Sequence, residues 1–478
     1  MGGRSLLSPG LVALLGILSS ATPALGQSHY WSEHFGNESI LLNGAVIGSV
    51  TDAGAAFYNP ARLVQQRNGD LLASAKVYEW TRTRVRGGLT GAEDLSRSRF
   101  RGIPSFVVGS FTVPGLDDHT FAYGVLTRHR GGLSYGLRGD DPDALPGAPP
   151  PGLFVGYVDF QSDFRDDWYG LSWAHALTDE LSLGASLFYF DRDLSRSASV
   201  DLRGLSAGGD GATLQVARRY RTQDKGLVGK AGISWRRGRV SWGASVTLPY
   251  WAFSSKGSVR FDDFALGLDG LPGTAGNDLR TLDQSGLEVD WKTPWSVGLG
   301  AGWESGDWQL HAAAEYFAGL SRHTVMRSDP VDDVRQTEAI RYTVVDERKP
   351  VFNFGGGVRW RGSDRISVFG SVASNFSAAP DSLVDFSALD TLVTQTSQET
   401  DYVLVGGGVS VRTSWADFTV GASWQGGSDD VSRALLGPAL DPGDTDPTTV
   451  EFHQWRFLAG FSVPLIDELV GGVTGGGP

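Results

Sequence analysis

The chain has 478 residues, with 54 acidic against 41 basic side chains and a formal charge of −13. That balance disfavours nucleic acid as a partner, because surfaces that bind it are basic. The absence of cysteine excludes disulfides, thiolate metal sites and a lipidated N-terminal cysteine. Glycine, at 65 residues, stands at about twice its usual share, Trp (15) and Phe (24) are abundant, and Met is nearly absent. A glycine- and aromatic-rich chain without cysteine suits a transmembrane β-barrel better than the two or three soluble domains its length would ordinarily suggest.

In chain order, residues 1–26 carry one cation, Arg4, then an apolar run over 11–18, then Ala24-Leu25-Gly26. This is the pattern of a secretory signal peptide cleaved before Gln27. Its core is too short to span a bilayer, and no later run supplies about 18 consecutive apolar residues. A periplasmic or outer-membrane address follows.

Residues 27–68 come next, and 51–63 reads TDAGAAFYNPARL. Ala53, Gly54, Ala55 and Ala56 are small enough to let the backbone approach a wall closely. Asn59 suits a helix N-cap and Pro60 the first helical position, while Asp52 could cap a preceding turn. Two short helical turns joined at Asn-Pro cannot fold alone. They need a container.

Residues 69–464 supply one, through side-chain alternation with period two. Val240, Trp242, Ala244, Val246, Leu248 and Tyr250 share one face, opposite Ser241, Gly243, Ser245 and Thr247. Trp295, Val297, Leu299 and Trp303 likewise alternate with Ser296, Gly298, Gly300 and Gly302. About fourteen antiparallel strands are expected, starting near residues 70, 100, 119, 153, 180, 213, 239, 286, 307, 341, 365, 399, 416 and 450. Short turns at 178–179, 236–239, 305–307, 362–364 and 414–417 alternate with long stretches such as 139–152, 262–285 and 378–399. Short turns on one side and long loops on the other are the outer-membrane pattern, and an even strand count puts both termini in the periplasm. Trp173, Trp235, Trp242, Trp303, Trp308, Trp360 and Trp415 sit near the short turns, as a periplasmic aromatic girdle would. The strand pattern stops near Pro464, leaving 465–478 as a periplasmic tail.

Parity also assigns the lumen. Arg128, Lys230, Arg359 and Arg456 fall on the inward face, where each could receive a carboxylate or pair with an acid such as Glu315 or Asp52. Phe188 and Phe190 share that face, to line an apolar pocket or to pack on the inner segment. In the third strand Gly131-Gly132 marks either a kink or a plain bend at the barrel end, since glycine weakens ladder packing. The eight histidines form no nucleophile motif or metal-ligand pair. His311 and Glu315, four residues apart on a strand, are about 13 Å apart and too distant for an acid–base pair. No enzymatic activity, metal or cofactor is expected.

With these residues in place, GAAFYNPARL at 54–63 resembles the N-terminal hatch of the FadL-type outer-membrane transporters. The barrel around it resembles that family over the whole mature chain. A weaker match is Thr247-Leu248-Pro249 followed by Lys256-Gly257. The resemblance implies a monomeric, all-β barrel with residues 27–68 as a plug that includes Asn59, Pro60 and Ala61. It further implies passive uptake of long-chain fatty acids or other hydrophobic small molecules, released sideways through a kink in the third strand. Outer-membrane lipid and lipopolysaccharide would be its surroundings. Two features depart from the family: Arg62 stands where glycine is expected, and the chain does not end on an aromatic strand terminus. A FadL-like barrel can also act without transport, as a scaffold or shuttle for secreted proteins. A plain diffusion porin is a third reading.

Overall fold

In a computed structural model, the described residues are 28–66, 70–86, 93–100, 105–139, 153–205, 209, 211–267, 278–330, 341–380, 391–395, 400–431 and 448–464. The expected signal peptide and C-terminal tail lie outside them. The wall is a closed antiparallel barrel of 14 strands. It begins with β1 (Asp70–Arg86), a second wall strand in two pieces, β2 (Glu93–Phe100) and β3 (Phe106–Phe111), then β4 (His119–Gly139) and β5 (Leu153–Ala176). It continues through β6 (Leu181–Leu205), β7 (Gly211–Arg237) and β8 (Val240–Thr247), the last prolonged upward by β9 (Trp251–Leu266). The chain returns along β10 (Asp278–Leu287) into β11 (Ser296–Ser305) and rises again as β12 (Trp308–Phe317).

Above β12, β13 (Leu320–Arg327) and β14 (Arg341–Arg348) leave the wall. The wall resumes with β15 (Val351–Arg361) and β16 (Ile366–Asn375). β17 (Thr391–Gln395) pairs in parallel with β14, so β13, β14 and β17 form a separate three-stranded sheet. Finally β18 (Tyr402–Arg412), β19 (Asp417–Val431) and β20 (Thr448–Pro464) complete the circle, with β20 closing on β1. Two expected starts are corrected here. The wall strand placed near 286 begins earlier, at Asp278 as β10, and continues as β11; that placed near 341 begins at Val351, because the residues ahead of it belong to β14.

The alternation sorts the faces as a lipid environment requires. Leu299 is 60% exposed and Leu171 68% exposed, both pointing outward, whereas Ser296 and Ser245 are buried on the inward face. All seven girdle tryptophans are exposed near the short turns. Tyr250 is an exception to its assigned face. The β8 ladder ends at Thr247, Pro249 offers no N–H to continue it, and the chain turns so that the Tyr250 hydroxyl points inward.

The sense of the pattern reverses at one cross-strand row, Val125–Tyr169–Tyr189–Leu227–Trp251. Above it, outward positions become Asp191, Asp193, Arg221 and Arg165. The inward positions Phe164, Leu194, Tyr220, Val259 and Phe261 are buried there against Val325, Met326, Tyr342 and Val344 of the separate sheet. That sheet caps the inner face of the extension.

One seam interrupts the wall. β1 pairs with β3 as far as Ser74 and with β2 from Tyr78, and it bulges between Lys76 and Tyr78. β3 holds β4 only up to Phe106–Leu126, helped by the Thr127 N–H donating to the Ser105 carbonyl. Above that point, among the described residues, β4 pairs with β5 alone. The β4–β5 register shifts between Thr127 and His129, so Arg128 is the bulged residue. Gly131 and Gly132, the candidates for a kink or a plain bend, pair in register with Phe164 and Asp163.

Candidate functional site

Residues 28–66 run inside the barrel and are mostly buried. The sequence forms two small turns there: α1 (Ala55–Tyr58) and a 3-10 turn, Pro60–Gln65, joined at Asn59. Asn59 Oδ1 accepts from the Ala61 N–H at 3.2 Å, the N-cap contact that its position calls for. Its Nδ2 donates to the carbonyls of Ile47 (2.9 Å) and Ile233 (3.1 Å), which fastens the turn to β7. Asp52 accepts from the N–H groups of Glu38 (2.7 Å), Ser39 (3.0 Å) and Gly54 (2.9 Å) and is therefore a hub of the segment. It has no lumen cation as an ion-pair partner among the described residues.

Contact with the wall is made two ways. Over β6, β7, β8 and β11 the backbones meet directly. A Cβ at Gly184 would overlap Pro60 and Ala61, one at Gly243 would overlap Ile47 and Asn59, and one at Gly300 would overlap Gly48. Hydroxyls complete this bed, Ser182 donating to the Ala61 carbonyl and Ser186 to that of Ala56, each at 2.8 Å. Arg62, at the position where the resemblance leads one to expect glycine, is buried and donates to the Val50 carbonyl and Ser234 Oγ. Desolvation holds it down at about 10. Over β3–β5 the contacts are rings instead: Phe35 on Phe106 (5.5 Å) and Phe57 near Trp168 (6.0 Å).

On that ring-packed side lies a cavity that opens to solvent. Its lining includes the rings of Tyr30, Phe57, Phe164, Trp168, Tyr250 and Trp291, the cations Arg128, Arg192, Lys230, Lys292 and Arg348, and the acids Glu33, Asp166, Glu315 and Asp346. Lys230 Nζ stands 4.6 Å from the Phe57 ring centre, with no carboxylate of the described residues in ion-pair contact. Arg128 lies over the same ring (5.5 Å) and donates through Nη2 to the Tyr30 carbonyl at 2.7 Å. Its buried Nη1 has no hydrogen-bond partner among the described residues, and neither does Arg192 Nε.

The six residues singled out by parity separate into three groups. Arg128 and Lys230 meet in the cavity. Arg359 and Arg456 are inward but engaged with the inner segment: Arg359 pairs with Glu38 at 2.8 Å, and Arg456 donates to the Ser32 carbonyl at 2.6 Å. Phe188 and Phe190 stand behind the lining, against Trp168 (5.2 Å) and Tyr250 (4.4 Å). Sequence reasoning missed Arg192, which shares the inward parity of Phe190 and was therefore within reach. It also missed Tyr250, whose position depends on the break at Pro249 and not on parity. Arg192 lies 4.6 Å over the Tyr250 ring and 3.9 Å from Asp166.

No protein-family model matches the sequence, and no curated protein matches it. Solved structures do. A FadL homologue of Pseudomonas aeruginosa superposes with a TM-score of 0.58 at 12% identity, covering 91% of this chain and 100% of its own. The fold is that of the FadL-type transporters. The Pseudomonas putida toluene transporter TodX matches with a TM-score of 0.55 at 13% identity, over 90% of this chain and 98% of TodX. The CymD monoaromatic hydrocarbon channel matches at 0.54 and 12% identity, over 90% and 97% of the two chains. By name these neighbours are a FadL homologue, a transporter and a channel, and what this chain shares with them is the barrel fold.

Proposed function

We propose that this protein carries hydrophobic small molecules across the outer membrane, and that its preferred cargo is an amphiphile with an acidic end, such as a long-chain fatty acid. The observation that carries this reading is the pair Lys230 and Arg128 over one Phe57 ring, at the edge of an aromatic cavity. A carboxylate fits between two cations that have no ion-pair contact with an acid among the described residues, Glu315 being only within electrostatic reach of Lys230. An alkyl chain gains about 0.8 kcal/mol per CH₂ buried among the rings.

Residues 28–66 serve as the plug, and release is lateral, at the seam beside β4. The plug's first stretch lies across the inside of that seam and is tied to both of its lips. Arg128 on β4 holds the Tyr30 carbonyl, Lys76 on β1 holds Glu33 at 2.5 Å, and Phe35 rests on Phe106 of β3. A cargo carboxylate that draws Arg128 from Tyr30 loosens the β4 tie and clears the way out.

Two experiments test this. Lipids extracted from purified protein should contain long-chain carboxylates by mass spectrometry, and Lys230→Met with Arg128→Ala should remove them; neutral hydrocarbons alone would overturn the acidic preference. Because the chain lacks cysteine, Glu33→Cys with Lys76→Cys offers a clean cross-link. Uptake should stop on oxidation and return on reduction. Unchanged uptake by the cross-linked protein rejects lateral release at this seam.

A further inference from the structure

Above the row where the wall pattern reverses, the outer face of β7 and β9 carries cations in successive cross-strand rows. Lys225 stands opposite Ser254, Gln223 opposite Lys256, Arg221 opposite Ser258, and Arg219 opposite Arg260. All five cations point away from the capped inner face, where Tyr220, Val259 and Phe261 are buried. No acid occupies an outward position of β7 or β9 in these rows; beside them Asp191 and Asp193 of β6 stand in the rows of Lys225 and Gln223, and Asp283 of β10 stands opposite Arg260. Arg221 is paired with Asp193 of β6, and Arg260 with Asp262 at 3.0 Å. Lys225, Lys256 and Arg219 have no ion-pair partner among the described residues.

The height of this stripe is set by the wall below it. Trp235 in the periplasmic girdle and Leu227 are eight residues apart on β7. That is about 26 Å along the strand, or roughly 20 Å along the membrane normal at a tilt near 40°, close to the apolar band of about 25 Å that such barrels present. Trp251 (69% exposed) and Phe253 (60%) mark the upper boundary beside Leu227. The first cation, Lys225, is one outward step higher, where the headgroups of the outer leaflet begin. Neighbouring strands are about 4.8 Å apart and successive outward residues about 6.6 Å, so Lys225, Lys256 and Arg219, with Arg221 and Arg260 held by acids between them, lie within reach of one headgroup.

We propose that this stripe on β7 and β9 binds the phosphorylated sugar headgroup of an outer-leaflet glycolipid, the lipopolysaccharide class. Rows of Lys and Arg directly above an aromatic boundary meet phosphate groups by direct charge-assisted hydrogen bonds. The inner face of the same strands is already covered by the cap, which leaves the outer face for the lipid. The binding is independent of the transport reading.

The test uses the full-length protein extracted from outer membranes in mild detergent, with bound glycolipid counted by native mass spectrometry. A variant with Lys225→Glu, Lys256→Glu and Arg219→Glu should lose bound glycolipid by roughly tenfold or more. A folded-barrel gel shift identifies intact protein, and Lys225→Gln with Lys256→Gln should give a partial loss if the triple variant fails to assemble. Undiminished glycolipid in a folded variant overturns the proposal. So does loss of glycolipid from the parent protein on chelation of divalent cations alone, which would assign the binding to metal bridges between acids and phosphate.

Discussion

Two stretches of the same strands, β5 to β7, obey opposite rules. Below the Tyr169–Tyr189–Leu227 row the outward face is apolar and the inward face is rich in serine and glycine; above it the outward face is charged and the inward face sets aromatic rings among buried polar groups such as Arg192 and Asp224. The period is unchanged across the row. What changes is the solvent on the outside, lipid below and water above, and what lies inside: the segment 28–66 below, a cap of apolar residues above. Alternation therefore reports the strand, and side-chain chemistry reports its surroundings.

The largest effect should come from the inner face of the extension. Phe261 is 1% exposed and its ring lies 6.3 Å from that of Tyr342 in the cap. Phe261→Ala should cost about 3–5 kcal/mol of local stability, seen as proteolysis of the cap while the lower barrel stays resistant. Next comes the direct contrast between the two outer faces. Leu299→Arg, in the lipid-facing band, should cost about 2–4 kcal/mol, whereas Gln223→Arg on the extension should stay within about 0.5 kcal/mol. Denaturant unfolding in lipid vesicles measures both, and equal costs would abolish the distinction. Asn59→Ala, which removes the cap and two carbonyl contacts below the row, should cost about 1–3 kcal/mol. Its signature is faster hydrogen exchange over residues 55–65.

The smallest effect is a pH slope. Burial depresses His29 to about 4, where it stacks on Tyr402 (4.4 Å) and donates to the Thr400 carbonyl at 2.8 Å. The unfolded segment takes up its proton near 6.5 and the docked one does not, so docking is strongest above 6.5 and weakens as pH falls toward about 4. His34, held near 3 by burial, acts in the same sense. Hydrogen exchange over residues 28–35 should therefore quicken between pH 7 and 4.5, and His29→Gln should flatten the slope.

Much of this architecture is legible in the sequence, for a physical reason. Period two is local, so the faces of Trp242, Leu299 and Trp308, and the lumen side of Lys230 and Arg456, follow from neighbours a few residues away. The turns at Asn59 are local too, fixed by a cap and a proline. Other features depend on distant partners. β14 follows β13 where a wall strand is expected, and only its parallel pairing with β17 shows that the wall has been left. Tyr250 was misplaced because Pro249 resets parity. The bulge sits at Arg128 and not at the glycines because the end of the β3 ladder, a property of another strand, decides where β4 must bend.

The bed of glycines beneath the inner segment has a consequence for biogenesis. Gly48 lies against Gly300, and Asn59 reaches the carbonyl of Ile233, 174 positions later in the chain. Backbones that close leave no slack through which a finished cylinder could be threaded. The segment synthesised first must be laid onto β6–β11 while the sheet is still open, and the zipping of β20 to β1 then imprisons it. Assembly of this protein is in effect the wrapping of a sheet around its own leading end.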